Sequence, residues 1–157
     1  MSQKKLKNFS PRVKVIQKIY GSLMNPDEDI IYSKSQYKKF IKDVVSGTLE
    51  RIDLIEETIV KHLAEDIKLE KTDKLLKIIL FAGVFELLFK HNTPKNVIIN
   101  EYIGASEFFL ERSQIKYLNA ILDKISKLIR KKWIRHKFNL PFFDLFGIYS
   151  LIKWIII

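Results

Sequence analysis

The stretch from Leu75 to Phe89 reads LLKIILFAGVFELLF and decides the fold class. It is too apolar for a helix with one face in water, so it predicts a central helix that neighbouring helices contact on several sides. Gly83 within the stretch predicts a close helix crossing or a break. The chain of 157 residues has only 5 glycines and 4 prolines, and its apolar residues recur at helical spacing. We therefore predict an all-α protein.

Five further helices are predicted around the central one. Ser33 and Gln36 have the form of a capping box, which predicts the start of the second helix, and Gly47 is expected to loosen that helix. The last helix is expected to end near Lys131. The predicted N-terminal residues of the six helices are Ser10 followed by Pro11, Ser33, Asp53, Thr72, Thr93 and Ser113.

These helices predict three regions along the chain. A basic segment covers residues 1–9, a helical domain covers residues 10–131, and an apolar C-terminal extension covers residues 132–157. Within the helical domain we expect two small helical bundles that share one core. A chain of this length needs no disulfide or metal to stabilise it.

The charge is concentrated at the two ends of the chain. The formal net charge is +10, from 28 basic and 18 acidic residues. Residues 1–26 contain six basic and no acidic residues, and residues 124–157 contain eight basic residues and one acidic residue. Two basic ends on a near-neutral body favour a polyanionic partner, for which nucleic acid and an anionic membrane both qualify. The absence of cysteine and of a visible secretory signal predicts a cytoplasmic location.

No motif for catalysis or metal binding is present in the sequence. His62, His91 and His136 are far apart, and none has a second ligand at a suitable helical spacing. The chain has no glycine-rich phosphate loop after a strand and no serine in a nucleophile elbow. We therefore predict a protein that is not an enzyme and that uses no metal or cofactor.

Two groups of residues are candidates for RNA binding. Cations in the first turn of a helix oppose its dipole, so helix stability does not explain the first group, whereas a phosphate backbone does. A solvated basic tail is the alternative. In the second group, Tyr117 would stack on an unpaired base while Lys116 contacts a phosphate; the alternative is that Tyr117 is a core aromatic residue. The candidates are Lys4, Lys5, Lys7, Arg12 and Lys14 in the first group, and Lys116 and Tyr117 in the second.

Four motifs resemble, in order and spacing, those of the transcription antitermination factor NusB family, and they look most like its alphaproteobacterial branch. They are VIQKIY at residues 15–20, LFAGVFEL at 80–87, PKNVIINE at 94–101 and YLNAILD at 117–123. The resemblance implies a fold of two helical bundles. It also implies a partner, the small-subunit ribosomal protein NusE, with which the family binds boxA RNA in the antitermination complex of RNA polymerase.

The resemblance also implies roles for individual residues. Arg12, Lys116 and Tyr117 correspond to positions that contact RNA. Four polar residues are expected to be structural, buried between helices and hydrogen-bonded there: Asn100, Glu101, Asn119 and Asp123.

The chain departs from the family pattern in its basic segment and at two helical positions. Its N-terminal segment contains one arginine where the family is arginine-rich, which reduces bidentate phosphate contacts. Phe81 stands at a family arginine, and Ala120 at a family glycine, which predicts a slightly wider helix crossing.

The C-terminal tail suggests a second interpretation. Residues 138–157 are long enough to span a bilayer, but Asp144, Pro141 and Gly147 interrupt them. Weak membrane contact or packing on the body is therefore favoured over a membrane anchor. The alternatives to the RNA-binding factor are a membrane-tethered helical adaptor and a stray accessory domain of an rRNA cytosine methyltransferase.

Overall fold

The computed structural model describes residues 10–63 and 68–137, with side chains described as far as Arg130. This part of the chain contains α-helices, one short 3₁₀ turn at Leu69–Lys71 and no strand, which confirms the predicted all-α class. The helices are α1 at Pro11–Met24, α2 at Lys38–Glu50, α3 at Ile52–Leu63, α4 at Lys74–Phe89, α5 at Lys95–Ser106 and α6 at Arg112–Lys137.

Helix α4 is the central element, as its apolar sequence predicts. From Ile78 to Leu87 every residue is buried, because α4 packs against each of the other five helices. Apolar side chains from all six helices join in one continuous core. The division into two bundles stays a prediction, since both sets of helices contribute to this single core.

Two glycines allow helices to approach closely. A Cβ atom added at Gly47 of α2 would lie 2.3 Å from Cζ of Phe85 in α4. A Cβ atom added at Gly83 would lie 3.0 Å from Cδ2 of Leu122 in α6. The close crossing predicted at Gly83 is therefore confirmed. Gly47 does not loosen α2, which continues through it to Glu50.

Most of the predicted N-caps are displaced from the observed helix starts. Helix α2 begins at Lys38, after a turn in which the Lys38 N–H donates to the Ser35 carbonyl, so Ser33 is not its cap. Tyr32, just before this turn, packs against the core. Asp53 and Ser113 lie inside the first turns of α3 and α6, and α5 begins after Pro94 rather than Thr93.

The first and fourth helices differ in whether a side chain caps their N-terminus. Ser10 precedes α1 as predicted, but its hydroxyl makes no capping hydrogen bond. At α4 the cap is Asp73, whose Oδ1 accepts from the N–H groups of Leu75 and Leu76, both at 3.0 Å. The Thr72 hydroxyl, the predicted cap, instead donates to the carbonyl of Lys68. A carboxylate beside the free N–H groups of a helix outcompetes a hydroxyl one residue further away.

Helix α6 extends to Lys137, beyond its predicted end near Lys131. Its Arg130 donates to the carbonyls of Lys90, His91 and Thr93 at 3.1–3.2 Å and so fastens the connection between α4 and α5. In the described part of the chain, none of the helices has the length and apolar composition needed to cross a bilayer. Residues 138–157, for which membrane contact was predicted, lie outside the described residues.

Candidate nucleic-acid interface

Two predicted RNA-binding cations lie on opposite sides of α1. Arg12 points into the protein, where it is only 8% exposed. Lys14, two residues later, is exposed to solvent. Two residues correspond to about 200° of rotation around a helix, so neighbouring basic residues necessarily face different surroundings.

Arg12 is held in a buried network that connects three helices. Its Nη2 donates to Oε2 of Glu86 at 2.8 Å, and its Nη1 donates to Oε2 of Glu101 at 3.4 Å. The hydroxyl of Tyr102 donates to the other oxygen of Glu86, Oε1, at 2.8 Å. The guanidinium carbon also lies 5.2 Å from the centre of the Phe40 ring. The network therefore joins α1 to α4 and α5 and packs against α2.

Burial affects the protonation of Tyr102 in this network. Glu86 is fully buried, and burial together with the negative charge of Glu86 raises the pKa of Tyr102 well above its ordinary value. The phenol, which is neutral at physiological pH, therefore continues to donate to Glu86 at pH values where an exposed tyrosine begins to ionise. An ion pair inside a core requires this kind of additional hydrogen bond, because the carboxylate has lost its water.

The prediction that Arg12 contacts RNA is therefore corrected. Its Nη groups bind protein carboxylates, and a phosphate would have to displace Glu86 from a buried ion pair. The sequence reasoning missed Glu86 and Tyr102 as partners. A signal was present, because Glu86 is the only charged residue between Ile78 and Phe89 and therefore required a buried partner.

The remaining candidates for RNA binding lie in different parts of the protein. Lys14 on α1 and Lys116 on α6 are both exposed, on helices that pack against α4. Tyr117 is half-buried and packs against the core, which favours the alternative interpretation of a core aromatic residue. The predicted contacts of Lys4, Lys5 and Lys7 lie outside the described residues.

The four polar residues expected to be buried behave differently from one another. Asn100 and Asn119 are exposed, so the prediction that they are buried is wrong: the core sides of α5 and α6 are formed by residues such as Ile98 and Leu118. Glu101 is half-exposed and receives the hydrogen bond from Arg12 described above.

Asp123 is half-buried, and its Oδ2 accepts from Nζ of Lys127 one turn later at 2.6 Å. This ion pair lies within α6 rather than between helices. Ala120 on the same helix is exposed, so the wider helix crossing predicted there is also wrong.

The described residues contain no cluster of three or more His, Asp or Glu side chains arranged to hold a metal ion. Many of their charged side chains form ion pairs within the protein or are exposed, and the exposed ones carry both signs, as Lys14 and Asp27 show. Lys14 and Lys18 on α1, in particular, have no carboxylate of the described residues within 4.0 Å. Lysines without an acidic partner suit the binding of an anion.

Together, the fold and these cations define a small all-helical domain with one core and exposed lysines such as Lys14 and Lys116. The model of the NusB family matches residues 8–127, and the chain therefore belongs to the NusB family. This confirms the resemblance of the four motifs and, since NusB proteins are transcription antitermination factors, the prediction that the chain is not an enzyme.

Named relatives agree with the assignment. The transcription antitermination protein NusB of Sphingopyxis alaskensis is 33% identical over 105 residues, which are 67% of this chain and 70% of the relative. That of Caulobacter vibrioides is 34% identical over 88 residues, and the match spans 56% of this chain and 59% of the relative. Both come from alphaproteobacteria, the branch that the motifs look most like.

The solved structure of T. maritima NusB has the same fold. It superposes with a TM-score of 0.65 at 25% sequence identity, covering 74% of this chain and 88% of the T. maritima chain.

Proposed function

We propose that this protein binds a boxA-type single strand of RNA together with NusE and acts in antitermination of ribosomal RNA transcription by RNA polymerase. The observation that carries the proposal is the family match over residues 8–127, which contains the first turns of all six helices and every buried hydrophobic residue of the core except Ile129. A cytoplasmic location is part of the same proposal.

The distribution of charge supports an RNA ligand. Lys14 and Lys18 on α1 have no described acidic partner, and Lys4, Lys5 and Lys7 directly precede this helix in the sequence. Lysine ammonium groups are compact charges that contact phosphates without reading the base, so this group of cations would provide affinity rather than sequence preference.

Helix α6 provides the second proposed contact. Lys116 is exposed in its second turn, beside Tyr117, part of whose ring remains accessible.

The buried network of Arg12 fixes α1 against α4 and α5, so the lysines of α1 are held at a constant position relative to the core. Arg12 therefore contributes to RNA binding through the position of α1, not through contact.

The test is a binding titration of the full chain with a labelled boxA-type strand and with a scrambled strand of the same composition, each with and without NusE. The proposal predicts tighter binding of the boxA-type strand and a further gain when NusE is added. Equal binding of both strands, with or without NusE, would contradict it and leave only a basic helical domain.

Sedimentation with anionic vesicles serves as the control for the membrane-tethered alternative. The chain is compared with a version that lacks residues 138–157. Vesicle binding that depends on these residues, combined with equal RNA binding of both strands, would favour the membrane adaptor instead.

A further inference from the structure

A cleft of about 570 Å³ opens between α1 and the start of α2. It exists because α2 begins at Lys38 and not at Ser33, so that the residues before the helix form a turn and leave a gap beside α1. Its volume lies within the range of small-molecule sites. Neither the buried Arg12 network nor Lys116 contributes to it.

The cleft is lined by cations and by none of the described acidic residues. Lys14 and Lys18 of α1 and Lys38 of α2 line it, and none of them has a carboxylate of the described residues within 4.0 Å. Other lysines of this protein, such as Lys77 and Lys127, do form ion pairs. Both Lys14 and Lys38 lie in first turns, where a cation opposes the helix dipole, so helix stability does not explain them.

Two acidic residues beside the cleft indicate where an anion would lie. Glu28 and Asp29 line an adjoining depression that shares Lys18 with the cleft. They repel an anion at the Lys18 end and leave the end with Lys14 and Lys38 as the favourable position.

Aromatic and amide groups complete the lining. The rings of Tyr32 and Tyr37 provide flat apolar surfaces, and the side chains of Gln17 and Gln36 provide hydrogen-bond donors and acceptors. Burial raises the pKa of Tyr32 above its ordinary value of 10.0, and its hydroxyl is a hydrogen-bond donor at neutral pH. Cations alone suit any anion, but rings and amides beside them match a ligand with a planar heterocycle attached to a phosphate.

We propose that this cleft binds one unpaired nucleotide, with its base against Tyr32 and Tyr37 and its phosphate at Lys14 and Lys38. The inference rests on the proposed function in one respect: the bound RNA strand is the expected source of the nucleotide. A free nucleotide has the same chemistry, and the experiment separates the two sources.

The first arm measures the affinity of the full chain for the boxA-type strand without NusE. Tyr37→Ala is expected to weaken binding about 5-fold to 150-fold, the effect of losing one base–aromatic stack. Lys38→Gln is expected to weaken it too, and to lower its dependence on salt. Tyr20→Ala is the matched control, because Tyr20 is a similarly exposed tyrosine of α1 that does not line this cleft.

The second arm titrates the wild-type chain with AMP, CMP, GMP and UMP, and with inorganic phosphate, while NMR follows the tyrosine ring signals. Shifts of Tyr32 and Tyr37 with a mononucleotide, absent with phosphate alone, are expected. Equal shifts with phosphate would overturn the role of the rings.

The two arms distinguish failure of the inference from failure of the proposed function. If the wild type binds RNA, Tyr37→Ala and Lys38→Gln bind it equally well, and no mononucleotide shifts the ring signals, the cleft proposal is overturned and the function stands. If the ring signals do shift, the cleft is a site for a free nucleotide and not for the RNA strand. If the wild type binds no RNA, the proposed function fails. The titration with mononucleotides then tests the cleft by itself. Shifted ring signals of Tyr32 and Tyr37 establish a site for free nucleotides, whereas unchanged signals overturn the cleft proposal as well.

Discussion

Arg12 and Lys14 are two cations on one turn of one helix, yet they belong to different parts of the molecule. Arg12 is in a core ion pair with Glu86, whereas Lys14 faces a cleft lined by no described acidic residue. The sequence presents both as members of one basic segment. The comparison shows that the partner of a charged residue depends on the face of the helix on which it lies, and not on its basic neighbours.

The largest expected effect on stability comes from replacing Arg12, the cation that faces inward. Arg12→Met leaves Glu86 buried without its ion-pair partner, and breaking a buried pair in this way lowers the free energy of unfolding by about 3–5 kcal/mol. Urea unfolding followed by circular dichroism measures the change.

Two further variants complete this test. Lys14→Met, on the outward face, is expected to change the free energy of unfolding by less than about 0.5 kcal/mol. Arg12→Met combined with Glu86→Gln removes the unpaired charge and keeps an acceptor for Tyr102, so it should recover part of the loss. Equal effects of Arg12→Met and Lys14→Met would remove the distinction between the two faces.

The second prediction concerns the phenol in the same network and its dependence on pH. Tyr102→Phe removes a hydrogen bond to a buried carboxylate, which costs about 1.5–3 kcal/mol at neutral pH. Because the folded-state pKa of Tyr102 is raised above its unfolded value of 10.0, its contribution to stability is complete below pH 10 and is lost as the pH rises through the folded-state pKa.

Urea unfolding between pH 8 and pH 11 measures this dependence for the wild type and for Tyr102→Phe. The difference between the two proteins should be constant below pH 10 and should shrink above it, by at most about 1.4 kcal/mol per pH unit. A difference that stays constant up to pH 11 would show that Tyr102 is not shielded in the folded state.

The smallest expected effect on stability concerns the size of a side chain on an inward or an outward face of a helix, rather than its charge. Gly47→Ala places a methyl group against Phe85 on the inward face of α2, and overpacking outweighs the better helix propensity of alanine, with a net loss of about 1 kcal/mol. Gly104→Ala in α5 meets no atom within 4 Å and should stabilise the protein by about 0.5–1 kcal/mol. Thermal unfolding of both variants measures the two shifts, which should have opposite signs.

The fold could be predicted from the sequence to the extent that it depends on local pattern. The apolar character of residues 75–89, interrupted by Lys77 and Glu86, identified the central helix, and Gly83 indicated the close helix crossing that the structure forms with α6. The start of α4 could not be predicted, because two capping residues lie next to each other there. Thr72 and Asp73 are both good N-cap residues. Which of them caps α4 depends on where packing ends the preceding turn.

The candidate interface was predicted less well, because it depends on contacts between distant residues. Arg12 and Glu86 are 74 residues apart in sequence, and nothing in the basic segment marks Arg12 as the member that turns inward. The cleft at Lys38 was missed because Ser33 and Gln36 have the pattern of a capping box that the structure does not form.

The most direct test of this division between inward and outward cations is the salt dependence of RNA binding by the full chain. A plot of the logarithm of the binding constant against the logarithm of salt concentration should be linear, with each phosphate contact on a single strand contributing about −0.7 to the slope. Lys14→Gln and Lys116→Gln should each make the slope less steep by about 0.7, whereas Lys61→Gln, an exposed lysine on α3, should leave it unchanged. An affinity of the wild type that does not change with salt, or equal slopes for all three variants, would contradict the assignment of these outward lysines to RNA.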